Sequence, residues 1–326
     1  MRRIIGIGET VLDIIFREEQ PQKAVPGGST FNAMITLGRV LHHLPEPEHP
    51  TVAMITETGD DHIGQIITSF MSQNYVSTDL VTINPGTQSH LSLAFLDNES
   101  NAHYEFYKDH AAAKLDVSKA SVEFKSDDIV LFGSFFAINP VLRIYTRSLF
   151  QAAQRAGAIL YYDINFRRSH IKDIPDVIVN LEENMRLATV VRGSAEDFGY
   201  LYGTTDPHEV YCRHIRHLCP FFICTNGAEP TEVFVPQGED FLHLKVSAPS
   251  IPSVVSTIGA GDNFNAGFLD GLVQHGWTRQ DFETVVCQAG IHVSSDLLLQ
   301  IITQAQRFSA HVCQRMDNYV DVAFRP

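Results

Sequence analysis

No stretch of this sequence is apolar for long enough to read as a membrane span. The longest such run, Ile129 to Ile138, is ten residues with Gly133 and Ser134 inside it, against the roughly 20 that a spanning helix needs, and it reads as a buried strand. Cysteine is scarce: Cys212, Cys219, Cys224, Cys287 and Cys313 are odd in number and fall late in 326 residues. They lack the dense spacing of a secreted disulfide framework, so a reducing, cytoplasmic setting is expected. Arg2-Arg3 turns apolar at once, but Glu9 and Asp13 interrupt the run, which fits neither a secretory signal nor a twin-arginine signal. Basic residues are also few. With 24 Lys and Arg against 38 Asp and Glu, the net charge is −14, which leaves little for the basic face that a nucleic-acid partner requires.

Several motifs are missing as well. No G-x-x-x-x-G-K-[ST] occurs, so any phosphoryl transfer must use a cradle other than a P-loop. No G-x-S-x-G supports an esterase. Gly6-Ile7-Gly8-Glu9-Thr10-Val11 starts like a dinucleotide fingerprint, yet Val11 stands at the third glycine and a strand-like segment follows where a helix should begin. Cys212, His214, His217 and Cys219 are close in sequence, but on a helix they spread over more than one face and Cys219 abuts Pro220, so they read as core and surface residues. His42-His43 suits a helix carboxyl end.

What is present is a chain 44% hydrophobic and 19% charged, able to bury a large core and expected to form one large domain with an appendage. Short Ile- and Val-rich runs, Ile4–Ile7, Val52–Ile55, Ile129–Phe132, Ile159–Ile164, Val190–Val191 and Phe222–Thr225, recur between amphipathic segments. Helices are expected over Thr30–Leu41, Ile63–Gln73, Val141–Ala156, Ala195–Tyr202 and Glu209–Leu218, and from Ala260 to about Met316. The alternation predicts an α/β fold with a mainly parallel central sheet flanked by helices. Further strands are expected at Glu232–Val235 and Phe241–Val246, and Pro45–Pro50 reads as a surface loop. Val11–Arg17 and Leu91–Tyr107, the latter turning at Asp97–Asn101, break the rhythm and suggest a small sheet outside the main one. Such a sheet is either a lid over a pocket near Gly27-Gly28 or a plain extra hairpin.

The sharpest local signal is Ser256-Thr257-Ile258-Gly259-Ala260-Gly261-Asp262-Asn263-Phe264. Its glycines let backbone amides converge at a helix amino terminus, a corner that attracts anions. A carboxylate there would repel a phosphate unless a third group lies between them, and a substrate hydroxyl is the natural third group: Asp262 accepts its proton while the helix terminus steadies the transferring phosphoryl group. From spacing alone, Asp262 reads equally as an N-cap aspartate after a glycine turn. Pro26-Gly27-Gly28-Ser29-Thr30-Phe31-Asn32 is a second glycine turn before a helix, where Asn32 offers both a donor and an acceptor to hydroxyls, as Asp13 offers an acceptor from the first odd segment. Each is also an ordinary turn or cap.

Together these residues resemble a family. Gly27 to Asn32 and Thr257 to Asp262 look like the two signature regions of PfkB carbohydrate kinases, in order and at the expected distance. Asp163-Ile164-Asn165-Phe166-Arg167 resembles a stretch of the fructokinase and 2-keto-3-deoxygluconate kinase branches, and Thr225-Asn226-Gly227 resembles a nucleotide-side turn. The resemblance implies a ribokinase-like three-layer fold, a single kinase domain over residues 1–326 with a β lid from segments of about 11–25 and 88–109. It implies that Asp262 is the base, that the amides of Gly259, Ala260 and Gly261 form an anion hole, and that Asp13, Gly27, Gly28, Asn32 and Arg167 bind sugar. Asn165, Glu196, Thr225, Asn226 and Gly227 then fall on the nucleotide side, with Glu196 holding Mg²⁺ through water. ATP and a small sugar, fructose before 2-keto-3-deoxygluconate, are the implied ligands, and a homodimer through the lid the implied assembly. Two positions depart from the pattern. Ser256 replaces a family aspartate, which puts a monovalent-cation site in doubt, and Gly193 replaces the asparagine of an N-x-x-E motif ending at Glu196. Those departures motivate a rival reading, a sugar- or nucleotide-binding regulator without turnover.

Overall fold

Buried strands are what Ile- and Val-rich runs form when both faces of a parallel sheet are covered: Ile129–Gly133 and Ile159–Asp163 are buried from end to end, and Arg3–Ile7 and Val190–Ser194 at all but one end residue. The computed structural model describes residues 2–45, 49–96, 102–107, 122–219, 221–237, 240–287 and 295–325. Its elements run β1 (Arg3–Ile7), β2 (Val11–Arg17), β3 (Gln20–Gly27), α1 (Ser29–Leu41), β4 (Thr51–Gly59), α2 (His62–Gln73), β5 (Val76–Ser77), β6 (Val81–Asn84), β7 (Leu91–Leu96) and β8 (Ala102–Tyr107). Then follow β9 (Ile129–Gly133), α3 (Ser134–Ile138), α4 (Arg143–Ala156), β10 (Ile159–Asp163), α5 (Ile174–Leu187), β11 (Val190–Ser194), α6 (Ala195–Tyr202), α7 (Pro207–Val210), β12 (Phe221–Asn226), β13 (Glu229–Gln237), β14 (Asp240–Val246), α8 (Ala260–Gln274), α9 (Arg279–Cys287) and α10 (Ser295–Cys313). The chain divides into two compact units.

The first unit comprises Met1–Val122, Ser250–Gly267 and Arg307–Pro326. In it β4 pairs in parallel with β1, β5 and β6, and α1 packs against β1 and β4. A separate four-stranded sheet has the order β3-β2-β7-β8. Its outer pairs are antiparallel and its central pair, β2 with β7, is parallel. The two odd segments of the sequence thus form the expected small sheet. The strand β3 falls mostly within the segment of about 11–25, although Pro21 and Pro26 argue against a strand interior; at the sheet edge a missing donor is tolerated. The expected turn at Asp97–Asn101 lies outside the described residues, as do 46–48 of the proline-rich loop.

The second unit comprises Glu123–Pro249 and Phe268–Gln306. Strands β9, β10, β11 and β12 are parallel neighbours, and β13 and β14 extend them antiparallel. Helices α4 and α5 pack on β10, and α6 on β11 and β12. The apolar run Ile129–Ile138 is strand only as far as Gly133 and continues as the short helix α3. The helix expected over Glu209–Leu218 is instead α7, capped by Asp206, followed by a π turn over Tyr211–Ile215. That wider turn goes with a buried Tyr211 ring stacked on Phe234 at 4.8 Å, a tertiary contact that helical periodicity does not encode. No helix among the described residues is long and apolar enough to cross a membrane.

Candidate active site

Helix α1 begins directly after Gly28, whose φ of 121° lies in the region that favours glycine. A side chain there would strike the Glu9 carbonyl, and one at Gly27 would strike the Asp13 carboxylate. The two glycines therefore bring the start of α1 against Glu9, between β1 and β2, and against Asp13 on β2. The first turn of α8 carries Asp262, and the two turns meet through that residue. The Ser29 hydroxyl donates to Asp262 Oδ1 at 2.8 Å and the Asn32 amide donates to Oδ2 at 2.8 Å. Two donors on opposite oxygens fix the plane of the carboxylate. Asp262 is buried, as are Asp13 and Asn32.

The turn before α8 is held from behind. Gly259 has φ 77°, and a Cβ added to it would stand 2.5 Å from the Asn318 carbonyl oxygen. The Asn263 amide donates both to the Gly259 carbonyl at 2.7 Å and to the Asn318 carbonyl at 2.8 Å. The Ala260 amide turns back to the Thr257 carbonyl at 3.2 Å. Ser256, at the position where an aspartate was expected, is buried and accepts from the Ile258 amide.

Asp13, on β2, accepts from the Asn318 side-chain amide at 3.1 Å. Burial pushes its carboxyl up to about 7, and the charges of Asp262 and Glu9 push the same way, opposed by the nearby Ser92 hydroxyl and by the hydrogen bond from Asn318. Asn32 Oδ1 and Asn318 Oδ1 are buried and have no partner among the described residues. Two carboxylates and two amide oxygens make this region rich in acceptors, the chemistry that suits a ligand bearing several hydroxyl donors. Thus Asp13, Gly27, Gly28, Asn32, Gly259, Ala260, Gly261 and Asp262 gather in the first unit. Ser29 and Asn318 were not singled out by the sequence. Ser29 lies inside the glycine-turn motif, whereas Asn318 carries no local pattern at all.

The remaining candidates lie in the second unit, around the carboxyl ends of β10, β11 and β12, where open α/β sheets bind ligands. A buried ion pair organises these ends: Arg192 donates to Asp163 Oδ1 at 2.9 Å and to the Thr225 hydroxyl at 2.6 Å. Asn165 follows with a positive φ of 39°, and Arg167 is exposed. The Thr225 side chain, one of the expected nucleotide-side groups, is thus already hydrogen-bonded, and Arg192 was missed because its signal is a contact between strands. Glu196 is exposed in the first turn of α6 and accepts from the Tyr200 hydroxyl. Asn226 and Gly227, exposed, begin the β12–β13 turn, with Gly227 at φ 55°. Gly193 has a steric reason: a Cβ there would stand 2.6 Å from the Phe198 ring, so a larger residue needs that ring to move.

Parallel strands with ligand-binding candidates at their carboxyl ends, a glycine turn opening a helix with an aspartate, and a separate small sheet define a ribokinase-like α/β carbohydrate kinase. The chain belongs to the pfkB family of carbohydrate kinases, whose model matches residues 1–296. A fructokinase from Rhizobium leguminosarum bv. trifolii is 28% identical over 280 residues, covering 82% of this chain and 79% of that protein. A 5-dehydro-2-deoxygluconokinase from Geobacillus thermodenitrificans is 20% identical over 298 residues, covering 88% and 84%. The solved structure of a fructokinase from Vibrio cholerae, with fructose, ADP and calcium bound, shares the fold with a TM-score of 0.79 and 20% identity, covering 97% and 94%.

Proposed function

We propose that the enzyme transfers the γ-phosphoryl group of ATP to a hydroxyl of fructose or a related keto-sugar, with residues 1–326 acting as one kinase domain. The observation that carries this reading is the clamping of Asp262 by Ser29 and Asn32 in the first turn of α8. A base must meet a hydroxyl in a fixed direction, and the clamp supplies that direction. Asp262 takes the hydroxyl proton as the alkoxide attacks the γ-phosphorus and the bond to ADP breaks, and the Gly259 and Gly261 amides at the helix terminus, with the Ala260 amide shared with the Thr257 carbonyl, steady the charge on the transferring group. Asp13, Gly27, Gly28 and Asn32 hold the sugar, and Arg167 bears on substrate or phosphate charge. Asn165, Thr225, Asn226 and Gly227 serve the nucleotide.

Glu196 fits Mg²⁺ through water, because it is exposed and ATP phosphates provide most ligands of that ion. Among the described residues no group of three or more His, Cys, Asp or Glu side chains is placed to hold a metal. When bound, Mg²⁺ supplies neutralisation of phosphate charge. The test is ADP release over a panel of sugars. The wild type is expected to turn over fructose, and Asp262→Asn is expected to lower kcat about 10²- to 10⁴-fold, the usual worth of a general base, with the fold retained by circular dichroism at the assay temperature. Equal kcat in the two proteins would remove Asp262 from the chemistry.

A keto-sugar acid is the second reading, favoured by the exposed Arg167 and by the 5-dehydro-2-deoxygluconokinase relatives. The ratio of kcat/KM for 2-keto-3-deoxygluconate to that for fructose decides between them. The small sheet is proposed as a lid and as a dimer surface, since β3 and β8 are its edges and Phe106 and Tyr107 are exposed on β8. Sedimentation as a monomer at micromolar concentration would remove the dimer.

A further inference from the structure

The family match ends at residue 296, yet the segment Asn318–Val320 is built into the candidate active site. Four elements hold it: α1, β2, β3 and α8. Val320 donates from its amide to the Thr36 hydroxyl on α1 at 3.3 Å and accepts from Arg39 at 2.7 Å. The Tyr319 hydroxyl donates to the Pro26 carbonyl on β3 at 3.1 Å. Asn318, 1% exposed, faces two parts of the site at once: its side-chain amide donates to Asp13 Oδ2, and its main-chain carbonyl accepts from Asn263 and closes off the space beside Gly259. Thr36 completes the circuit by donating to Asn263 Oδ1 at 2.5 Å. Segments that merely cover a core bury apolar side chains; this one puts a polar side chain against a buried carboxyl and leaves that side chain's own oxygen without a partner among the described residues.

We propose that Asn318 is a positioning residue of the kinase site, holding the Asp13 carboxyl for the sugar while its carbonyl braces the Gly259 turn, so that a segment beyond the family match sets sugar affinity. The inference rests on the sugar-kinase reading above. It has a direct consequence for substitutions. The main-chain carbonyl survives any side-chain change, so a replacement at 318 removes only the arm that reaches Asp13. The groups facing that carboxyl are Asp262, Glu9, Ser92 and the Asn318 amide. Loss of the amide removes a donor that favours the charged form and moves the acid limb of kcat/KM for the sugar to higher pH.

The experiment measures steady-state kinetics and calorimetric D-fructose binding without ATP for the wild type, Asn318→Leu and Asn318→Ala. Asn318→Ala adds neither bulk nor charge beside the Asp13 carboxyl, so it gives a reading even where Asn318→Leu does not fold. The expected result is a KM and Kd for D-fructose raised at least tenfold, KM for ATP within twofold of the wild type, and an acid limb shifted upward in Asn318→Leu. A lowered melting temperature with unchanged sugar KM, or equal rises in both KM values, overturns the proposal and makes the segment a structural strap. Wild-type enzyme that binds D-fructose without releasing ADP overturns the kinase reading alone, and the Kd ratios then decide the role of Asn318. Wild-type enzyme that neither binds D-fructose nor phosphorylates it overturns the proposal in its sugar-binding form.

Discussion

Asp13 is a carboxyl that the fold makes expensive to ionise. In the unfolded chain it titrates near the ordinary aspartate value of about 3.9, and in the folded protein at about 7. Between those values the folded state binds more protons, so the stability this group contributes is complete at acid pH and is lost as pH rises through the folded value. Asp13→Asn is therefore expected to raise the melting temperature at pH 8, by the equivalent of a few kcal/mol, and to change it little at pH 4. Thermal melts at the two pH values read this, and the same variant should weaken sugar binding. The glycines give a second contrast. Gly259→Ala combines a positive φ with a collision against the Asn318 carbonyl and is expected to cost about 1–3 kcal/mol in urea denaturation, with reduced turnover. Gly227→Ala meets open space, so backbone strain is its only penalty, about 1 kcal/mol.

Among the elements, the parallel neighbours β10, β11 and β12 share the Asp163–Arg192–Thr225 link. Arg192→Met would leave the Asp163 charge buried without its cation, at a cost of about 3–5 kcal/mol. Adding Asp163→Leu should recover much of that stability, which denaturant midpoints of the single and double variants can check. Most strands were legible because alternation and apolar runs depend on local spacing, whereas β5 and β6, two and four residues long, are too short to show either. What was not legible depends on neighbours: β3 is a strand in spite of its prolines because it pairs with β2 at an edge, and the Tyr211 turn widens where its ring meets Phe234 and Phe222. The glycine turns at Gly27-Gly28 and Gly259–Asp262 could be read because they pack function into consecutive residues. Asn318 and Arg192 reach their partners from 305 and 29 positions away in the chain, and no local pattern marks them.

For the molecule as a whole, the acidic balance of −14 and the family assignment point the same way, toward a small-molecule substrate. The substitution of glycine for the motif asparagine at 193 has a further meaning. Since the Phe198 ring fills the space that a larger residue at 193 would need, the two positions constrain each other and should vary as a pair. Relatives that carry asparagine at the first are expected to carry a smaller side chain at the second, and sorting family sequences by that pair would separate two lineages according to how the beginning of this one helix is packed.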